Sequence, residues 1–111
     1  MSEIVGFSGQ IAPEHVSQIV EKGFKSVVNN RPDMEGGPEQ PTSTQIEETV
    51  RGAGLEYVYQ PVIAGQITEA DVHAFADHFN ALPKPVLMFC RTGNRSNNLF
   101  QIAKQMDLLD D

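Results

Sequence analysis

The chain has 111 residues, 40% of them hydrophobic, and a formal net charge of −7 at pH 7. That size and composition fit one domain over residues 1–111, with a core large enough to stand without staples, and they exclude a disordered chain. The charge argues against nucleic acid or an anionic membrane as partner, the apolar runs are far too short to span a bilayer, and the first residues lack the basic-then-apolar pattern of a signal peptide.

Short apolar runs alternate with longer amphipathic ones. Ile4–Ser8 reads as a first strand. Pro13 suits the first turn of a helix that runs to about Lys22 with Val16, Ile19 and Val20 inward, and Gly23 stops it. Lys25–Asn30 is a second strand. Residues 31–41, RPDMEGGPEQP, hold three prolines and two glycines and form a loop. A second helix starts near Thr42–Thr44, where Thr44 and Glu47 match a capping box, and ends at Gly52 or Gly54. Leu55–Gln60 is a third strand and Pro61–Ile67 a loop. Thr68 with Asp71 caps a third helix through Leu82. Pro85–Phe89 is the fourth strand, and Ser96–Met106 the last helix, with Leu99, Phe100, Ile102, Ala103 and Met106 apolar.

Strands separated by helices predict an α/β fold: three layers, a mostly parallel four- to five-stranded sheet with helices on both faces. Ligands of such sheets bind off the carboxyl ends of the strands. Cys90 lies at one such end, Arg31 follows another, and the Pro61–Ile67 loop follows a third.

Residues 85–96, PVLMFCRTGNRS, carry most of the functional signal. An apolar strand delivers Cys90, the only cysteine, into a tight loop that opens a helix. With one cysteine no internal disulfide forms, and a reduced, cytoplasmic setting fits. Of four arginines, Arg91 and Arg95 follow the thiol directly and Arg31 follows another strand. Loop N–H groups, a helix N-terminus and arginines favour both a thiolate and a bound anion. Gly93 lets the backbone turn its N–H groups inward, Thr92 and Asn94 supply loop amides, and Ser96 is either a hydroxyl partner for the sulfur or the cap of the last helix. His15, His73 and His78 are scattered and no second cysteine exists, so neither a metal nor any other cofactor is expected.

The segments FSGQIAPEHV, GFKSVVNNRPDMEG, AGLEYVYQPVIAGQITEADVHAF and PVLMFCRTGNRS together resemble the phosphatase-like domain of beta-lactamase-hydrolase-like proteins, a family also labelled as sulfur transferases. The resemblance covers roughly residues 6–100 and implies a dual-specificity-phosphatase-like fold with a thiol anion-binding loop.

Two chemistries compete for that thiol. Cysteine phosphatases resemble one another in a Cys, five residues, then Arg. Here only four residues separate Cys90 from Arg95, Ser96 stands where the arginine would be, and Phe89 replaces the usual preceding His. One residue fewer shortens the ring by about 3.3 Å. The spacing resembles the rhodanese loop, with Arg91 directly after the cysteine. A phosphatase of this scaffold also protonates its leaving group with a loop aspartate. The loop expected to supply it, PVIAGQI, has no acid, although Asp33 in the neighbouring loop is a candidate. Sulfur transfer needs no such acid. On these grounds the expected activity is a sulfurtransferase, passing sulfur from a small anionic donor such as thiosulfate through a Cys90 persulfide to a thiol acceptor. The alternative is a phosphatase using the same Cys90, and the third reading is an anion-binding module without turnover.

Overall fold

The computed structural model describes residues 4–110. Four short strands, β1 (Val5–Ser8), β2 (Ser26–Asn29), β3 (Glu56–Tyr59) and β4 (Val86–Phe89), pair in the order β1-β4-β2-β3, and every pairing is parallel. Four helices connect and follow them: α1 (Val16–Glu21), α2 (Ser43–Gly52), α3 (Glu69–Ala81) and α4 (Asn94–Gln105).

The layering follows from strand alternation. All four residues of β4 are buried, as a strand covered on both faces requires. Val86 and Met88 pack with Val5 and Val28 against Val72, Phe75 and Phe79 of α3 and Leu99, Phe100 and Ala103 of α4. Leu87 and Phe89 point the other way, with Val27 and Tyr57, onto Val16 and Ile19 of α1 and Ile46 and Val50 of α2. The expected three-layer α/β architecture holds, with four strands. Among the described residues no helix is long and apolar enough to cross a membrane.

Local expectations are met in part. Thr68 and Asp71 form the capping box that starts α3. The box of α2 is Thr42 with Gln45 rather than Thr44 with Glu47. Pro13 opens a 3-10 turn, Pro13–His15, that leads into α1. Val20, expected to face inward, remains 40% exposed. The last helix begins two residues early, at Asn94, because Gly93 takes the cap position.

Candidate active site

Register places the site. Ser8 of β1 and Asn29 of β2 both pair with Phe89, so the loops after three neighbouring strands leave the sheet side by side around Cys90. The Cys90 N–H donates to the Ser8 carbonyl (3.3 Å), and the Asn30 N–H donates to the Phe89 carbonyl (2.9 Å). The chain then turns at Gly93, whose φ of 95° lies in the left-handed region. A Cβ at this glycine would sit 3.4 Å from the Ser8 backbone, so the position is tight as well as left-handed.

That turn aims backbone donors at the sulfur. The Gly93 N–H lies 3.1 Å from Sγ. Burial pushes the Cys90 thiol up, but hydrogen bonds from the N–H of Ser96, the N–H of Thr92, the Ser96 hydroxyl and the N–H of Gly93 outweigh it, and the pKa falls below the ordinary thiol value. The Ser96 hydroxyl has one proton. It lies 2.9 Å from Asn30 Oδ1 and donates there. In the thiolate state the sulfur competes for that same proton. Asn30 is fully buried and anchored in turn by its Nδ2 donating to the Gln60 carbonyl (3.0 Å). Ser96 thus lies inside α4 beside the sulfur, and the cap that the sequence also allowed it belongs to Gly93.

Arg95 stands in the first turn of α4. Its Nη1 donates to the Val62 carbonyl (3.0 Å), tying the Pro61–Ile67 loop to the thiol loop. The same guanidinium grips Glu35, with Nη1 to Oε2 at 3.0 Å and Nη2 to Oε1 at 3.1 Å. Its Nε is buried and has no hydrogen-bond partner within the protein. A buried N–H of this kind is costly unless a ligand satisfies it. Arg31 donates Nε to the same Glu35 (2.9 Å) and Nη1 to Gln10 Oε1 (3.1 Å). Arg91 is exposed, and its side chain makes no ion pair with a described residue. Thr92 turns its hydroxyl to the Asn94 N–H (3.3 Å), so that amide is engaged locally.

Cys90 opens into a cavity of about 710 Å³. Arg91, Thr92, Asn94 and Arg95 form one side, Ala64, Gly65 and Ile67 another, and Asn98, Gln101, Ile102 and Gln105 of α4 extend it. A second hollow, shared through Ala64, Arg91 and Arg95, reaches Arg31, Glu35 and Gly36. Asp33 lines neither. Its Oδ1 accepts the Ser43 N–H (2.8 Å) at the head of α2, while its own N–H donates to Tyr59 Oη (2.9 Å). Asp33 therefore orders the Arg31–Pro41 loop against α2. No group of three or more His, Cys, Asp or Glu suited to a metal occurs among the described residues.

Sequence reasoning did not single out Glu35, Asn30 or Gln10. Asn30 had a signal, a second polar residue closing an apolar strand. Glu35 had none, since Arg95 is 60 positions away.

The model of the beta-lactamase hydrolase-like protein, phosphatase-like domain, matches residues 1–107. A beta-lactamase hydrolase-like protein of Xylella fastidiosa is 34% identical over 107 residues, 96% of this chain and 25% of its own length. The chain thus spans about a quarter of the curated relatives it matches. A candidate phosphatase from Neisseria meningitidis superposes with a TM-score of 0.87 at 33% identity, covering 96% of this chain and 75% of its own. TpbA of P. aeruginosa, solved with phosphotyrosine, shares the fold at a TM-score of 0.68 and 21% identity, over 95% of this chain and 62% of that one.

These findings correct the sulfurtransferase expectation, and the thiol acceptor falls with it. The matching family and the structures it resembles are phosphatase-like, which was the alternative. The physical reason is that the spacing from Cys90 to Arg95 measures only the amide ring. The cavity walls come from α4 and the Pro61–Ile67 loop as well, so the short loop does not restrict the site to one sulfur atom. By its match over almost its whole length, the chain belongs to the phosphatase-like domain family of the beta-lactamase hydrolase-like proteins.

Proposed function

We propose that this domain is a cysteine-dependent phosphatase acting on a small phosphate ester through Cys90. One observation carries the proposal: a thiol held below its ordinary pKa faces a cavity shared with two arginines, in a phosphatase-like family. The thiolate attacks phosphorus, the bond to the leaving oxygen breaks, and a phosphocysteine forms. Arg91 and Arg95 Nε hold the phosphoryl oxygens as charge redistributes, while the Thr92 and Gly93 amides stay on the sulfur. Water then attacks phosphorus, the thiolate leaves, and inorganic phosphate departs with the water's oxygen. Ser96 donates to the thiolate each time it re-forms. Arg31 acts indirectly, by holding Glu35 against Arg95. The chemistry needs Cys90 reduced, which a cytoplasmic setting provides.

The test is phosphate release from para-nitrophenyl phosphate by the wild-type chain and by Cys90→Ser. Turnover by the wild type that falls to background in the variant is expected. Equal turnover in both would refute the role of Cys90.

A further inference from the structure

Among the described residues, no carboxylate lines the cavity into which Cys90 opens. Glu35 is clamped between Arg31 and Arg95, with contacts of 2.9, 3.0 and 3.1 Å, and those cations hold it ionised. Asp33 is engaged at the head of α2. Glu69 and Asp71 belong to the first turn of α3, where Asp71 accepts the Thr68 N–H at 3.0 Å. The Pro61–Ile67 loop lines that cavity with Ala64, Gly65 and Ile67, none of which carries a proton to give. The α4 wall offers carboxamides, Asn98, Gln101 and Gln105. Carboxamides and guanidiniums stabilise a departing oxyanion by hydrogen bonding, but at neutral pH they do not protonate it.

We infer, building on the phosphatase reading, that this site selects substrates whose leaving group departs unprotonated: esters of acidic phenols or phosphoanhydrides, rather than alkyl phosphates such as phosphoserine. In the first step the Cys90 sulfur bonds to phosphorus while the phosphorus–oxygen bond breaks. The electron pair leaves on that oxygen, which takes its proton later from water. In the second step the thiolate is itself a good leaving group, so the phosphocysteine hydrolyses without an acid. The missing proton transfer confines the discrimination to the first step.

A general acid contributes about 10²–10⁴-fold to such a bond cleavage. Values of kcat/KM for para-nitrophenyl, phenyl and ethyl phosphate should therefore fall steeply as leaving-group pKa rises. Ethyl phosphate should lie at least about 10²-fold below the nitrophenyl ester. Methyl diphosphate serves as the anhydride probe. If it is turned over as well as the nitrophenyl ester, the natural substrate class is the anhydride. If only aryl esters react, it is the aryl ester. A series that is flat in the wild type overturns the inference while leaving the phosphatase reading intact. A flat series that becomes steep in Asp33→Asn would overturn it too, by identifying Asp33 as the acid. Hydrolysis of no member of the series overturns the phosphatase reading and this inference with it.

Discussion

Replacing Glu35 by Gln tests how Arg31 and Arg95 are held together beside the thiol loop. Glu35 is 26% exposed at its side chain, while Arg31 and Arg95 are 11% and 10% exposed. The glutamate receives two charge-assisted hydrogen bonds, from Arg31 Nε and Arg95 Nη2, and a further ion-pair contact from Arg95 Nη1. A glutamine amide offers one acceptor and places donors against donors, leaving two largely buried cations without their counter-charge. Removing one partner of a buried ion pair costs about 3–5 kcal/mol, and the partial exposure of Glu35 lowers that to about 2–3 kcal/mol. At about 4–8 °C per kcal/mol for a domain near this size, Tm should drop by roughly 10–20 °C. Partial burial pushes the Glu35 carboxyl up, but hydrogen bonds and charge from Arg95 and Arg31 outweigh it and hold it below the ordinary glutamate range. A depressed carboxyl contributes stability that is present above its unfolded pKa and disappears as pH falls through the folded one. Urea unfolding of wild type and Glu35→Gln should therefore differ most at neutral pH and converge as acid protonates the folded-state carboxyl, below the pH at which a free glutamate titrates. A difference under about 0.5 kcal/mol at pH 7, within the range of an ordinary surface substitution, would refute the bridging role.

Three further outcomes follow from the same geometry. Ser96→Ala removes a donor to the thiolate, so the pH midpoint of Cys90 alkylation by iodoacetamide should move up; an unchanged midpoint would leave the hydroxyl without influence on the sulfur. Gly93→Ala forces a side chain into a left-handed position with φ of 95° against Ser8, which should cost at least about 1–2 kcal/mol in thermal unfolding and slow alkylation of the misplaced thiol. Phe79→Ala empties a fully buried site whose ring lies 5.5 Å from those of Phe75 and Phe100, with an expected loss of about 3–5 kcal/mol and no change in the Cys90 alkylation midpoint.

Most of the architecture was legible because it is local. The VLMF run before Cys90, the Thr68–Asp71 box and the glycine punctuation are each written within a few residues. The second helix shows where local signals compete. In TSTQIEE two capping patterns overlap, and Asp33 bonding the Ser43 N–H accompanies the earlier one. The thiol loop was equally legible, Cys90 with Arg91, Thr92, Gly93 and Arg95 in one hexapeptide. Its surroundings were not. Glu35 meets Arg95 across 60 positions, and Asn30 meets Ser96 across 66. The sulfurtransferase reading failed at this boundary. Loop length describes the amide ring, whereas the room beside Sγ depends on Ala64, Gly65 and the α4 face, which the loop sequence does not encode.

The most direct measurement of the central claim is intact mass after rapid acid quench of the wild-type chain during turnover of para-nitrophenyl phosphate. The expected result is a gain of one phosphoryl group, located on the Cys90 peptide, lost on further incubation as the phosphocysteine hydrolyses, and absent in Cys90→Ser. Turnover with no phosphoryl group on Cys90 at any quench time, or with one on another residue, would contradict it.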